Sequence, residues 1–195
     1  MVELPITREE AIEFLKSMPQ KESDMNHYLE SEAIMRGVAK KLGEDTDYWG
    51  MLGLLHDVDW ALTRDNVSEH CIKSAEILKE KGFSEEFIQQ MQSHAYGFDE
   101  VPTLKDKERS KVIEYSLAAS ETLTGIIYAY ALMRENKISD MKVKGLKKKF
   151  KDKNFAKNCN REIIKEIEKT GIELEELFKI AIESMKGIKG EIGLV

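Results

Sequence analysis

Apolar residues in this chain recur at three- and four-residue intervals instead of alternating, in long stretches that only Pro5, Pro19 and Pro102 interrupt. That pattern predicts an all-α domain. A first helix starts at Thr7, where Glu10 completes a capping box, carries Ile12, Phe14 and Leu15, and stops before Pro19. A second runs from about Asp24 to Leu42 and ends at Gly43, and the apolar run Trp49 to Val58 predicts a short third. Ser68 to Lys81 predicts a helix closed by Gly82, Ser84 caps one reaching about His94, and Tyr96 to Pro102 is a loop. Lys107 to Arg134 reads as the longest helix, with Val112, Ile113, Leu117, Leu123, Ile126, Ile127 and Tyr130 toward the core. Two or three more helices fill the last third. No repeat or low-complexity linker marks a boundary, so the 195 residues are read as a single-domain helical bundle, with a core over about 20–135 and a helical extension over about 138–190.

Composition narrows the functional classes. With 42% hydrophobic and 34% charged residues, the chain has material for one core and no signature of disorder. Its uncharged stretches are too short to span a bilayer, and the opening Met-Val-Glu-Leu-Pro-Ile-Thr-Arg-Glu-Glu lacks the layout of a signal peptide. The expectation is a cytoplasmic protein with no membrane partner. Cys71 and Cys159, far apart, are expected to be reduced thiols, and neither belongs to a zinc-type cysteine pair. A net charge of -6 argues against nucleic acid as a partner. Against that background, Lys142 to Lys153 packs seven lysines and one aspartate into twelve residues. The segment is either a solvated helical face or a phosphate-holding patch in which Lys149 or Lys153, with Arg161, faces a catalytic centre. No pattern points to an oligomeric state.

The doublet His56-Asp57 closes the apolar run Trp49-Gly-Met-Leu-Gly-Leu-Leu55, where a buried carboxylate needs a cation. All four histidines, His27, His56, His70 and His94, fall in the first half of the chain, each on or beside a different predicted helix. Imidazoles on separate helices of a bundle can converge on one interior point, and the Asp57 carboxylate could bridge two ions there. Glu121, in the small-residue stretch Ala118-Ala-Ser-Glu-Thr-Leu-Thr-Gly125, is the candidate sixth ligand. Each histidine could instead be a hydrogen-bonded or surface residue, and Glu121 could pair with a lysine. Nitrogen and oxygen donors favour iron, manganese, zinc, nickel or cobalt, one or two ions in number. Asp59, Arg64 and Asp65 follow the doublet, where they either cap the His70 helix or act at the site, Arg64 on substrate and Asp59 on a ligand or water. Trp60, Tyr96 and Phe98 lie near the same mouth, as pocket walls or as ordinary core aromatics.

The residues resemble those of the HD-domain metal-dependent phosphohydrolases, whose pattern is a histidine, a His-Asp doublet and a distal aspartate on an all-α scaffold. His27 matches the first histidine, His56 and Asp57 the doublet, and Glu121 stands where that family has aspartate. His70 and His94 match the extra histidines of subfamilies that hold two metals. Leu123-Thr-Gly125, Lys149-Phe-Lys-Asp-Lys-Asn-Phe-Ala156 and Asn160-Arg-Glu162 resemble segments of a bacterial and archaeal branch of predicted hydrolases, so the likeness covers about residues 20 to 190. It implies hydrolysis of a small phosphate ester, such as a nucleotide, by metal-activated water, with Asp57 catalytic and Arg64, Lys149, Lys153 and Arg161 as candidate substrate contacts. Two other functions use the same residues: an HD-type di-iron oxygenase, and a non-catalytic ligand-binding module in which Glu121 marks a lapsed site.

Overall fold

The computed structural model describes residues 4–195; residues 1–3, which begin the stretch read for a targeting signal, lie outside it. The described residues form ten α-helices, short 3-10 turns and no strand. Helix α1 (Arg8–Ser17) opens on the expected Thr7–Glu10 capping box and buries Ala11 and Leu15. Helix α2 (Glu22–Leu42) ends at Gly43, whose φ of 77° is the left-handed stop that glycine takes without strain. Helix α3 (Thr46–Leu55) is started by the Asp45 carboxylate on the N–H groups of Asp47 and Tyr48, and every residue from Tyr48 to Leu55 is buried. Each fully buried leucine there contributes about 1.5–3 kcal/mol.

Helix α3 lies directly on α2. A Cβ at Gly53 would stand 2.6 Å from the Ser31 carbonyl oxygen, so only glycine permits this approach of the two backbones. The chain continues through α4 (Trp60–Thr63), α5 (Ile72–Glu80), α6 (Glu85–Gln92) and α7 (Val112–Leu132), then α8 (Val143–Lys151), α9 (Arg161–Lys165) and α10 (Leu174–Gly187). Helix α7 packs along α2, and α10 covers α2 from another side, with Ile180 and Ser184 over Gly37. The C-terminus is tied in: Val195 donates to the Asn136 carbonyl and accepts from the Ile138 N–H, both at 2.8 Å.

Four expected boundaries are corrected. Ser68 to Lys81 is not one helix: a 3-10 turn spans Val67–Glu69, Cys71 takes φ 66°, and α5 starts at Ile72. The break follows from Asp59, whose carboxylate accepts the Cys71 and Ser74 N–H groups from outside the segment. The longest helix begins at Val112, not Lys107, because Arg109 donates to the Ser93 and Tyr96 carbonyls and the Glu114 carboxylate takes the Ser110 and Lys111 N–H groups. Val112 in its first turn is therefore exposed and Tyr130 only half-buried. The apolar run ends its helix at Leu55, and α6 ends at Gln92, leaving His56, Asp57 and His94 in turns.

The lysine-rich segment forms α8, which buries Leu146 and Phe150 and turns its lysines outward. It packs against α10, whose first turn carries Glu175 and Glu176, and Lys147 pairs with Glu175 at 2.5 Å. The local charge contrast has a neighbour of opposite sign. No helix of the described residues is long and apolar enough to cross a membrane.

Candidate metal centre

His27 projects from the second turn of α2, toward α7. His56 closes α3 and Asp57 follows it in the turn, held there by the Tyr28 hydroxyl, which donates to the Asp57 carbonyl at 3.0 Å. His70 stands before the left-handed residue Cys71, and His94 sits in the 3-10 turn Ser93–Ala95. The turn is braced by Arg109, itself paired with Glu166 at 2.6 Å. Five residues from four separate parts of the chain thus converge. His27 Nε2 and His56 Nε2 are 3.0 Å apart, with Asp57 Oδ2 at 3.9 and 3.6 Å from them. His70 Nε2 and His94 Nε2 are 3.1 Å apart, with Asp57 Oδ1 at 3.4 and 3.2 Å. The two oxygens of one carboxylate face two pairs of imidazoles.

The other ring nitrogen of every histidine is already engaged. His56 Nδ1–H donates to the Gly53 carbonyl at 2.8 Å and His94 Nδ1–H to the Met91 carbonyl at 2.7 Å. His70 Nδ1–H donates to Asp59 Oδ1 at 2.8 Å, and His27 Nδ1–H to Thr124 Oγ1 at 2.9 Å, while that hydroxyl donates to the Glu121 carbonyl at 2.7 Å. Carbonyls and carboxylates only accept, so the Nδ1 atoms keep their protons and the Nε2 atoms are the ones left facing one another and Asp57. Nε2 atoms facing at 3.0 and 3.1 Å, beside a carboxylate, need a proton or a metal cation among them. The donor set, nitrogen and oxygen with outer hydrogen bonds fixing each ring, suits divalent transition-metal ions. The groups His27, His56, Asp57 and His70, Cys71, His94 each bring their ligand atoms within 4.8 Å of one another.

The electrostatics are uneven. Burial pushes His27 down and His56 down to about 3, against the pull of Asp57. At His70 burial is outweighed by Asp59, which draws the imidazole up to about 10, and at His94 it is outweighed by Cys71 and Asp57. Burial would raise Asp57, but His56 and His94 hold it well below the usual carboxylate range. Positive charge is therefore drawn to the His70–His94 side of the cluster, beside Asp57, Asp59 and Cys71.

A cavity of about 510 Å³ opens onto this cluster. His27, Asp57, His70 and His94 form part of its wall, with Glu121, Thr122 and Thr124 of α7 and the loop residues Asn158, Cys159 and Asn160. Trp60, Val67, Phe98 and Ile163 supply apolar surface, while Tyr96 lies outside the lining. Glu121 reaches the wall without joining either ligand group; the Thr122 hydroxyl donates to its carboxylate. Burial raises Glu121 to about 7.

The four cationic residues expected at substrate lie elsewhere. Arg64 pairs with Asp24 at 3.2 Å. Lys149 rests over the Tyr130 and Phe155 rings. Lys153 borders a separate groove with Lys147, Glu162 and Glu173, and Asp65 is exposed. Arg161 also borders that groove, but its guanidinium donates to the carbonyls of Phe150, Asp152, Phe155, Ala156 and Cys159, shaping the loop that walls the site. Its contribution to the cavity is the shape of that loop.

Sequence reasoning missed Thr124 and Cys71 as individual residues. Thr124 stands one turn after Glu121, a spacing that puts it on the same helix face. Cys71 directly follows a candidate ligand, which was the only signal available.

An all-α fold that gathers imidazoles and a shared carboxylate from separate elements offers two candidate metal-ligand groups. The sequence profile of the HD domain matches residues 25–131, more than half of the chain, and the chain belongs to that family, whose members are commonly metal-dependent hydrolases. No curated protein and no solved structure matches it.

Proposed function

We propose that the chain is a dinuclear metal-dependent phosphohydrolase that releases phosphate from a small ester, with a nucleotide as the proposed substrate class. The observation that carries this reading is the placement of Asp57, with one oxygen toward the His27–His56 pair and the other toward the His70–His94 pair. His27, His56, Asp57, His70 and His94 would hold two ions of iron, manganese, zinc, nickel or cobalt, with the Glu121 carboxyl on the cavity wall as a further candidate ligand. Such ions, when bound, make a water nucleophilic near neutrality and neutralise phosphate oxygens. Asp57 would contact both ions, and the buried rings would exclude competing water. Trp60, Phe98, Val67 and Ile163 offer flat apolar surface to a base or sugar, and Asn158 and Asn160 offer amide donors and acceptors. No lysine or arginine lines the cavity, so the phosphate's charge is left to the ions.

The test is elemental analysis of protein purified without chelator, followed by a phosphate-release panel of nucleotides and sugar phosphates. About two ions per chain and release from a subset of nucleotides are expected, with His56→Ala and Asp57→Asn losing both metal and activity. Wild-type and His56→Ala proteins that release equally little phosphate while binding metal would remove the hydrolase assignment. The lack of a lysine or arginine on the wall also favours a second reading, an HD-type di-iron oxygenase with an uncharged substrate. Oxygen consumption by the iron form with a mixed-valent EPR signal would establish it, and failure to bind two irons would end it.

A further inference from the structure

We infer that Cys71 is a thiolate ligand of the ion held by His70 and His94, so that the two positions of the centre differ in kind. This inference rests on the dinuclear reading above. The sulfur of Cys71 lies 3.8 Å from His94 Nε2, and the ligand atoms of His70, Cys71 and His94 fall within 4.8 Å of one another. The residue is fully buried, and its backbone N–H is fixed by Asp59 at 2.9 Å, the same carboxylate that orients His70. A buried cysteine is often only a small apolar residue, and Cys71 does pack near Ala95, Val101 and Leu104. Its sulfur, however, lies beside the Nε2 atoms of His70 and His94, which their Nδ1 hydrogen bonds leave to face a cation.

One ion would then have two imidazoles and an oxygen of Asp57, and the other two imidazoles, the second oxygen and a sulfur. The thiol proton leaves to solvent as the sulfur ligates, one per chain. A thiolate makes its position selective for zinc, cobalt or iron over magnesium or manganese, which prefer oxygen.

Cobalt(II) titration of the whole chain reads this directly, because a thiolate on cobalt gives a near-ultraviolet charge-transfer band that imidazole and carboxylate do not. The wild-type protein is expected to bind two cobalt ions and to develop the band, which zinc bleaches and magnesium does not. Cys71→Ser, which keeps the N–H bond to Asp59, should lose the band and bind one of its two ions about tenfold or more weakly. Cys159→Ser, at the only other cysteine, should keep the band, and this variant identifies the sulfur even if Cys71→Ser fails to fold. Two cobalt ions bound without a band would overturn the inference and leave the dinuclear reading standing. A band lost in Cys159→Ser and kept in Cys71→Ser would also overturn it. No cobalt bound would overturn both.

Discussion

Asp59 accepts the Nδ1–H of His70 at 2.8 Å on one carboxylate oxygen and the N–H groups of Cys71 and Ser74 at 2.9 and 3.0 Å on the other. The side chain is fully buried. Capping a helix and orienting a ligand, which the sequence presents as alternatives, are here one interaction. Asp59→Asn leaves a single acceptor oxygen for both tasks. A loss of about 1–3 kcal/mol in stability is expected from the broken cap, measured by denaturant unfolding. Metal binding, followed by titration, should weaken about 10–100-fold as His70 loses its orientation. Unchanged values for both would show that Asp59 does neither.

Thr124 separates positioning from stability. Thr124→Val keeps the shape of α7 but leaves the His27 Nδ1–H without its acceptor. The expected result is about 10–100-fold weaker metal binding, with a stability change of only about 1 kcal/mol. Thr124→Ser should restore binding, and a variant that fell equally in stability and affinity would mark Thr124 as mere packing.

Glu121 supplies the pH dependence. Its carboxyl is raised from 4.5 to about 7 in the folded protein, so between those values the unfolded chain is ionised while the native chain keeps its proton. The unfolded state binds fewer protons there, and this group's contribution to stability falls as pH rises from 4.5 to 7. In chelated protein, Glu121→Gln should match the wild type near pH 4.5 and become progressively more stable than it up to about 7, as read from urea unfolding at several pH values. With metal present the order should reverse if the carboxylate ligates, because the variant forfeits a ligand.

Two glycines of the site should respond differently to alanine. At Gly53 the new Cβ meets backbone, 2.6 Å from the Ser31 oxygen, so α2 and α3 must part and a cost of about 1–3 kcal/mol is expected, with weaker metal binding. At Gly125 it meets the end of a side chain, 2.8 Å from Cys159 Sγ, which can rotate away. Melting temperatures of the two variants, compared at one pH, decide the ordering. An equal or larger loss at Gly125 would show that the loop carrying Cys159 is rigid.

By itself the sequence determined the helical class, the α1 capping box and the stop at Gly43, because these depend on residues within one turn of each other. It also singled out every histidine, since a residue type so sparse and so spaced is visible without a structure. The tertiary structure alone decided which atoms face which. Asp59 breaks the Ser68 to Lys81 helix, Arg109 holds back the start of α7, and Arg161 serves the loop backbone; each acts across a distance that periodicity does not encode. The lysine segment is resolved by a partner helix more than twenty residues away in sequence. Cys71 enters the centre only because a buried carboxylate turns its backbone into the left-handed region. His56 and Asp57 are neighbours in any conformation, but that Asp57 spans two histidine pairs follows from how α2, α3 and the turns carrying His70 and His94 come together, which packing sets and local sequence does not.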